Sequence, residues 1–196
     1  MSNVNGVMEI RVEADFEIDM SLLMNNLSSK LKDRSLSISR HGDSANLTSY
    51  YYKYRDGKQG SYDGIELSIN YYDNWKRVRN SFVFFSSRYI EGDTPVVFSE
   101  EYPLFIAFTP KSGVKAEPHE YFFTPETVDR YSNGTIHTMI SFSWDSVKYI
   151  ANWVLYDVVI KYYEKDGTLK ELPIPEDILK QWREMIVSPK ALVEKN

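Results

Sequence analysis

Four carboxylates stand out first. From Met8 to Met20 every second residue is apolar (Met8, Ile10, Val12, Ala14, Phe16, Ile18, Met20), and Glu13, Asp15, Glu17 and Asp19 fall between them. In an extended strand, residues two apart share a face about 7 Å from one another, so the four acids form a row. One cation cannot gather them, because its ligands must lie within about 2.6 Å of it. Such a row suits Lys or Arg on neighbouring strands, or a cationic partner protein. A second acidic group, Glu91, Asp93, Glu100 and Glu101, falls in a stretch with no Lys or Arg between residues 91 and 101. It reinforces a negative surface.

Tyrosines are the next candidates. Fifteen are present, several in runs: Tyr50-Tyr51-Tyr52 with Tyr54, Tyr71-Tyr72 and Tyr162-Tyr163. Strand propensity accounts for much of this. Tyr50, Tyr52 and Tyr54 would share one strand face and could serve a protein interface, where tyrosine supplies area with few rotors and a hydroxyl that tolerates water. Lys53, Arg55 and Lys58 beside them would also suit stacked single-stranded bases. The net charge of −5 opposes nucleic acid as a partner.

The three histidines, His41, His119 and His137, show no metal-ligand spacing, and no cysteine can complete a set. No metal or cofactor is expected. Nucleotide-binding glycine loops and the Gly-x-Ser-x-Gly elbow are absent. One tripeptide, Arg40-His41-Gly42, resembles the signature of the histidine phosphatases. That resemblance implies His41 as phosphoryl acceptor and Arg40 as a clamp on the phosphate oxygens. Arg88 and His137 would be the second arginine and second histidine. A strand and a helix precede the tripeptide here, whereas the family places it on the first, buried strand of a parallel sheet. Phosphotransfer is therefore the alternative to a binding role.

Composition narrows the classes further. Zero cysteines exclude disulfides, thiolate-bound metal and a thiol nucleophile. A hydrophobic fraction of 42% with 26% charged residues is a folding composition, and 196 residues suit one domain spanning 1–196. The N-terminus lacks a basic cluster followed by an apolar stretch. Residues 103–108 and 154–160, the most apolar windows, are too short to span a bilayer. A soluble cytoplasmic protein without membrane contact is the expectation.

The elements that would position these groups follow from periodicity. The alternation at 8–20 predicts a strand, followed by a helix over 21–32 with Leu23, Leu27 and Leu31 inward. Strands are expected at 36–39, 47–54, 65–71, 80–89, 95–98, 104–108 and 135–142. Asp56-Gly57 and Asp63-Gly64 read as turns, and residues 110–118 as a loop. Val147, Ile150, Ala151, Val154, Val158 and Tyr162 predict a helix from Ser143 or Asp145 to about Lys165, closed by Asp166-Gly167. Pro175 fits the first turn of a last helix with Ile178, Trp182 and Ile186 inward, ended by Pro189. The fold class is α+β: a mainly antiparallel sheet with an N-terminal helix and two C-terminal helices packed on one face.

In this organisation the chain is similar to the bacterial toxin-immunity proteins. The strand over 7–18, the helix over 21–32, the aromatic meander and the acidic rows carry the resemblance. It implies a non-enzymatic protein that occludes the active site of a cognate toxin, with a basic toxin domain as partner. Its carboxylates would meet basic groups while Tyr50, Tyr52 and Tyr54 supply contact area. A phage-encoded inhibitor of a host protein would share these features.

Overall fold

The computed structural model describes residues 34–55, 60–74, 76–123, 128–130, 135–142 and 144–195. The strand expected over 8–20, with Glu13, Asp15, Glu17 and Asp19, and the helix expected over 21–32 lie outside these residues.

Alternating sequence makes the first hairpins. β1 (Arg34–His41) returns as β2 (Ser44–Tyr54) through the two-residue loop Gly42-Asp43, with His41 opposite Ser44. Gly42 sits at φ +62°, the left-handed region that a hairpin with glycine at its first loop position requires. β2 then pairs with β3 (Tyr62–Tyr72), and β3 with β4 (Arg77–Arg88). Asp73 and Asn74 take the left-handed conformations at the β3–β4 tip, which these short polar residues tolerate. The Asn74 amide donates to the Asp43 carbonyl, tying the two hairpin tips together. With β9 (Thr135–Phe142) and β8 (Val128–Arg130) these strands complete an antiparallel six-stranded sheet, order β1-β2-β3-β4-β9-β8.

A second sheet was not expected. β11 (Leu169–Pro173), β10 (Tyr156–Glu164), β6 (Leu104–Pro110) and β7 (His119–Phe123) lie side by side, and the short β5 (Val96–Val97) pairs with β10. The long C-terminal helix is therefore corrected. Helix α1 (Trp144–Ile150) is followed by a 3-10 turn (Trp153–Leu155), and the chain then extends as β10. Val158, Ile160 and Tyr162 satisfy a period of two as well as the helical spacing read through Val158 and Tyr162. The β-branched and aromatic run Val158-Val159-Ile160 with Tyr162-Tyr163 favours the strand. Asp166-Gly167 does turn the chain, with Gly167 at φ +84°, but as the tip of the β10–β11 hairpin. The stretch read as a loop after Pro110 likewise ends in β7.

The last helix forms as its stripe dictates. Helix α2 (Glu176–Val187) buries Ile178, Leu179, Trp182, Met185 and Ile186, with Glu176 and Asp177 at the positive end of its dipole. Pro175 is the residue before the helix rather than part of its first turn, and Pro189 opens a short helix α3 (Pro189–Lys195).

Buried apolar residues from both sheets and the helices form one cluster. Ala45, Leu47, Ile65, Leu67, Ile69, Val83 and Phe85 line the inner face of the six-stranded sheet, because alternate residues of each strand point the same way. Toward Tyr71 this face meets α2. The Tyr71 hydroxyl donates to the Met185 carbonyl at 2.6 Å, and the Trp182 indole donates to the Ser49 hydroxyl at 3.0 Å. Toward Tyr62 it meets the five-stranded sheet, with the Phe85 and Tyr162 rings 4.8 Å apart.

The Asp63-Gly64 pair, read as a turn, is a stretch of β3. Gly64 lies directly opposite Tyr52 and leaves room for its ring. A Cβ at position 64 would stand 1.9 Å from a Tyr52 ring carbon. Gly64→Ala is expected to lower stability by about 1–3 kcal/mol through overpacking, read as a lower urea midpoint. A midpoint equal to that of wild type would show that the ring can move aside.

Candidate functional site

Among the described residues, an array of charged groups lies largely out of water where the two sheets meet. Arg55, just past β2, donates to both oxygens of Asp63 on β3, from Nε at 2.9 and 3.1 Å and from Nη2 at 2.8 Å. The same guanidinium donates to the Ser87 hydroxyl at 2.9 Å, to the Thr94 carbonyl at 2.9 Å and to Glu164 of β10 at 3.1 Å. Ser87 in turn donates to Asp63 at 2.7 Å, and Lys170 of β11 pairs with the other Glu164 oxygen at 3.4 Å. Burial, followed by the charge and hydrogen bond of Asp63, pushes the Tyr162 phenol far above its ordinary value. Buried polar groups are tolerable when each is partnered, and these are. Arg55, which the sequence offered as a cation beside stacked bases, is committed to joining the two sheets.

The three candidate tyrosines Tyr50, Tyr52 and Tyr54 do share the outer face of the six-stranded sheet, but not as a free surface. Tyr52 is only 2% exposed, its ring lying between Tyr50 (5.1 Å) and Tyr62 (4.9 Å). It is therefore a packing residue and is corrected as a partner contact, while Tyr50 and Tyr54 are half-buried. Further along this face a polar ladder crosses the strands. Asn46 donates to Ser68 and Asn70 at 3.0 and 2.9 Å, and Thr48 donates to Asn46 at 2.8 Å.

Glu66 sits between these aromatic and polar ends. Tyr50 is its neighbour on β2 and Phe84 its neighbour on β4. It is 3% exposed, and its Oε1 has no hydrogen-bond partner. Burial pushes its carboxyl up to about 7, because a charge cut off from water is costly.

The phosphatase-like residues are not brought together. Arg40 and His41 end an edge strand in the Gly42 hairpin, opposite Ala45 and Ser44. Arg88 pairs with Tyr62, at the far end of β3, and His137 lies opposite Ser86 on β9. At about 3.3 Å per residue both are roughly 25–35 Å along the sheet from the hairpin. Among the described residues no group of three or more His, Asp or Glu is placed to hold a metal ion.

The second acidic group is presented outward. Glu91, Glu100 and Glu101 are exposed and have no ion-pair partner among the described residues. Asp93 is turned inward and accepts a hydrogen bond from the Ser61 hydroxyl. Glu100 and Glu101 form the tip of a tight turn, in which Ser99 and Tyr102 exchange backbone hydrogen bonds at 3.2 Å. Beside that turn, the outer face of the five-stranded sheet carries Tyr163, from one of the tyrosine runs, with Phe105 and Phe122, which the sequence reading did not single out. Only the strand register shows that these point away from Leu104, Ile106 and Tyr162.

Comparison with known proteins returns no matching family model, no matching curated protein and no matching solved structure. Among the described residues no helix is long and apolar enough to cross a membrane.

Two outcomes follow from the buried charges. Arg55→Met leaves Asp63 buried without its cation and Glu164 with Lys170 alone, and is expected to cost about 3–5 kcal/mol. Lys170→Met removes an exposed partner and is expected to cost under about 1 kcal/mol; equal urea midpoints for the two variants would contradict this. For Glu66 the folded state holds its proton more tightly than the unfolded chain. Its contribution is favourable below the ordinary carboxylate range and is lost as pH rises toward about 7. Glu66→Gln is expected to remove this dependence and to exceed wild type at pH 8 by up to about 3 kcal/mol. Parallel stability–pH curves for the two proteins would refute it.

Proposed function

We propose that this chain is a non-enzymatic binding protein that neutralises a cationic protein partner, in the manner of the toxin-immunity proteins. The observation that carries the reading is the set of three exposed carboxylates, Glu91, Glu100 and Glu101, without an ion-pair partner among the described residues. Adjacent like charges such as Glu100 and Glu101 repel one another, and a basic partner surface relieves that repulsion while speeding encounter. The commitment of Arg55 to the interior and the separation of His41 from His137 are consistent with binding by surface rather than with phosphotransfer. In this reading a basic toxin domain is the partner, and occlusion of its active site is the mechanism.

The direct test is co-expression with the protein encoded by the neighbouring open reading frame, with cell survival and complex formation as readouts. The triple variant Glu91→Lys, Glu100→Lys, Glu101→Lys is expected to associate at least about tenfold more slowly at low salt. Its rate should also vary less with ionic strength than that of wild type. Absence of both rescue and complex formation for the wild-type chain would sink the proposal.

A further inference from the structure

The outer face of the five-stranded sheet presents an aromatic row across three strands. Phe105 of β6 lies 4.6 Å from Phe122 of β7 and 6.0 Å from Tyr163 of β10, between ring centroids, and Tyr163 lies 5.3 Å from Tyr102. Phe122 is 44% exposed and Leu169, opposite Tyr163 on β11, is 46% exposed. Phe105, Tyr102 and Tyr163 are half-buried, so each keeps part of its ring in water. Contiguous apolar surface of this kind marks an interaction site more often than an isolated exposed side chain does.

Charge at the rim selects the occupant. Glu100 and Glu101 adjoin Tyr102, and Glu120 and Glu171 flank the row on β7 and β11. Lys161 stands between the last two, 2.6 Å from Glu120 and 4.0 Å from Glu171, so one cation is shared by two acids. The rim therefore carries a negative excess around an aromatic centre, the complement of an apolar patch ringed by Lys and Arg. A second copy of this chain would set acids against acids.

We infer that this face, Tyr102, Phe105, Phe122, Tyr163 and Leu169 with its acidic rim, is the docking surface for a basic protein. The inference rests on the binding reading above and assigns it to the outer face of the five-stranded sheet, with Glu100 and Glu101 at its rim. Phe122, on the edge strand β7, is its most exposed ring and its anchor, since exposed aromatic side chains contribute most when a partner removes them from water.

The test uses the full chain labelled with ¹⁵N and a defined probe, a capped hexapeptide of alternating Lys and Trp. Saturable amide shifts are expected at residues 102, 105, 122, 163 and 169, vanishing at high salt. Phe122→Ser with Leu169→Ser, both at exposed positions, should bind at least about tenfold more weakly. Tyr149→Ser, at a residue 68% exposed on α1, should bind as wild type does. Shifts mapping elsewhere, no binding, or equal binding by the double variant would overturn the assignment. Concentration-dependent dimerisation abolished by the same double variant would overturn it in favour of a second copy. In the co-expression assay, full protection by the double variant overturns the surface and leaves neutralisation standing. Failure of the wild type to protect, with peptide shifts on this face, overturns neutralisation and leaves the surface standing.

Discussion

A largely buried guanidinium between two sheets holds this architecture in register. Arg55 reaches Asp63 and Ser87 on one sheet and Glu164 on the other, and its fork fits that set because its donors are coplanar and fixed. An ammonium group could approach one of these acceptors but could not span them all. The two sheets meet at this end through charge and through the Phe85 and Tyr162 rings, while at the other end α2 fills the space with Trp182. Hydrophobic burial supplies the bulk of the attraction. The polar node restricts how the sheets can slide, since any shift in register would strand a buried charge.

The same logic separates the two outer faces. On the six-stranded sheet the tyrosines lean on one another, the amide ladder is internally bonded, and Glu66 is shut away from water. That face is largely buried, and Glu66 Oε1 and Arg88 Nε lie on it without hydrogen-bond partners. On the five-stranded sheet the aromatic row is open and its rim carries more acid than base. Exposure, rather than aromatic content, distinguishes the two faces.

Periodicity made much of this fold legible. The meander through β2, β3 and β4, and the α2 stripe of Ile178, Trp182 and Ile186, follow from spacing alone. Residues 156–164 did not, because Val158 and Tyr162 fit a helix and a strand equally, and only pairing with β6 and β11 decides between them. The short β7 and β11 carry too few residues for a period to emerge. The Arg55 node was invisible for a different reason. The partners of Arg55 come from four separate segments, and a sequence shows a residue's type but not the strands that enclose it. Tyr52 could be assigned a face but not a depth, since depth depends on the glycine across from it. The exposed Glu100 and Glu101, by contrast, were readable from the absence of nearby cations.

That glycine has an evolutionary consequence. Tyr52 and Gly64 occupy one volume between them, so position 64 cannot change ahead of position 52. A descendant of this chain that acquires a side chain at 64 must first lose or shrink the ring at 52, while the reverse order passes through a poorly folding intermediate. The constraint is thus ordered, and lineages that exchange the ring for a small residue gain freedom at 64. Their covariation, across residues twelve apart in sequence, would trace the history of this sheet in any set of its relatives.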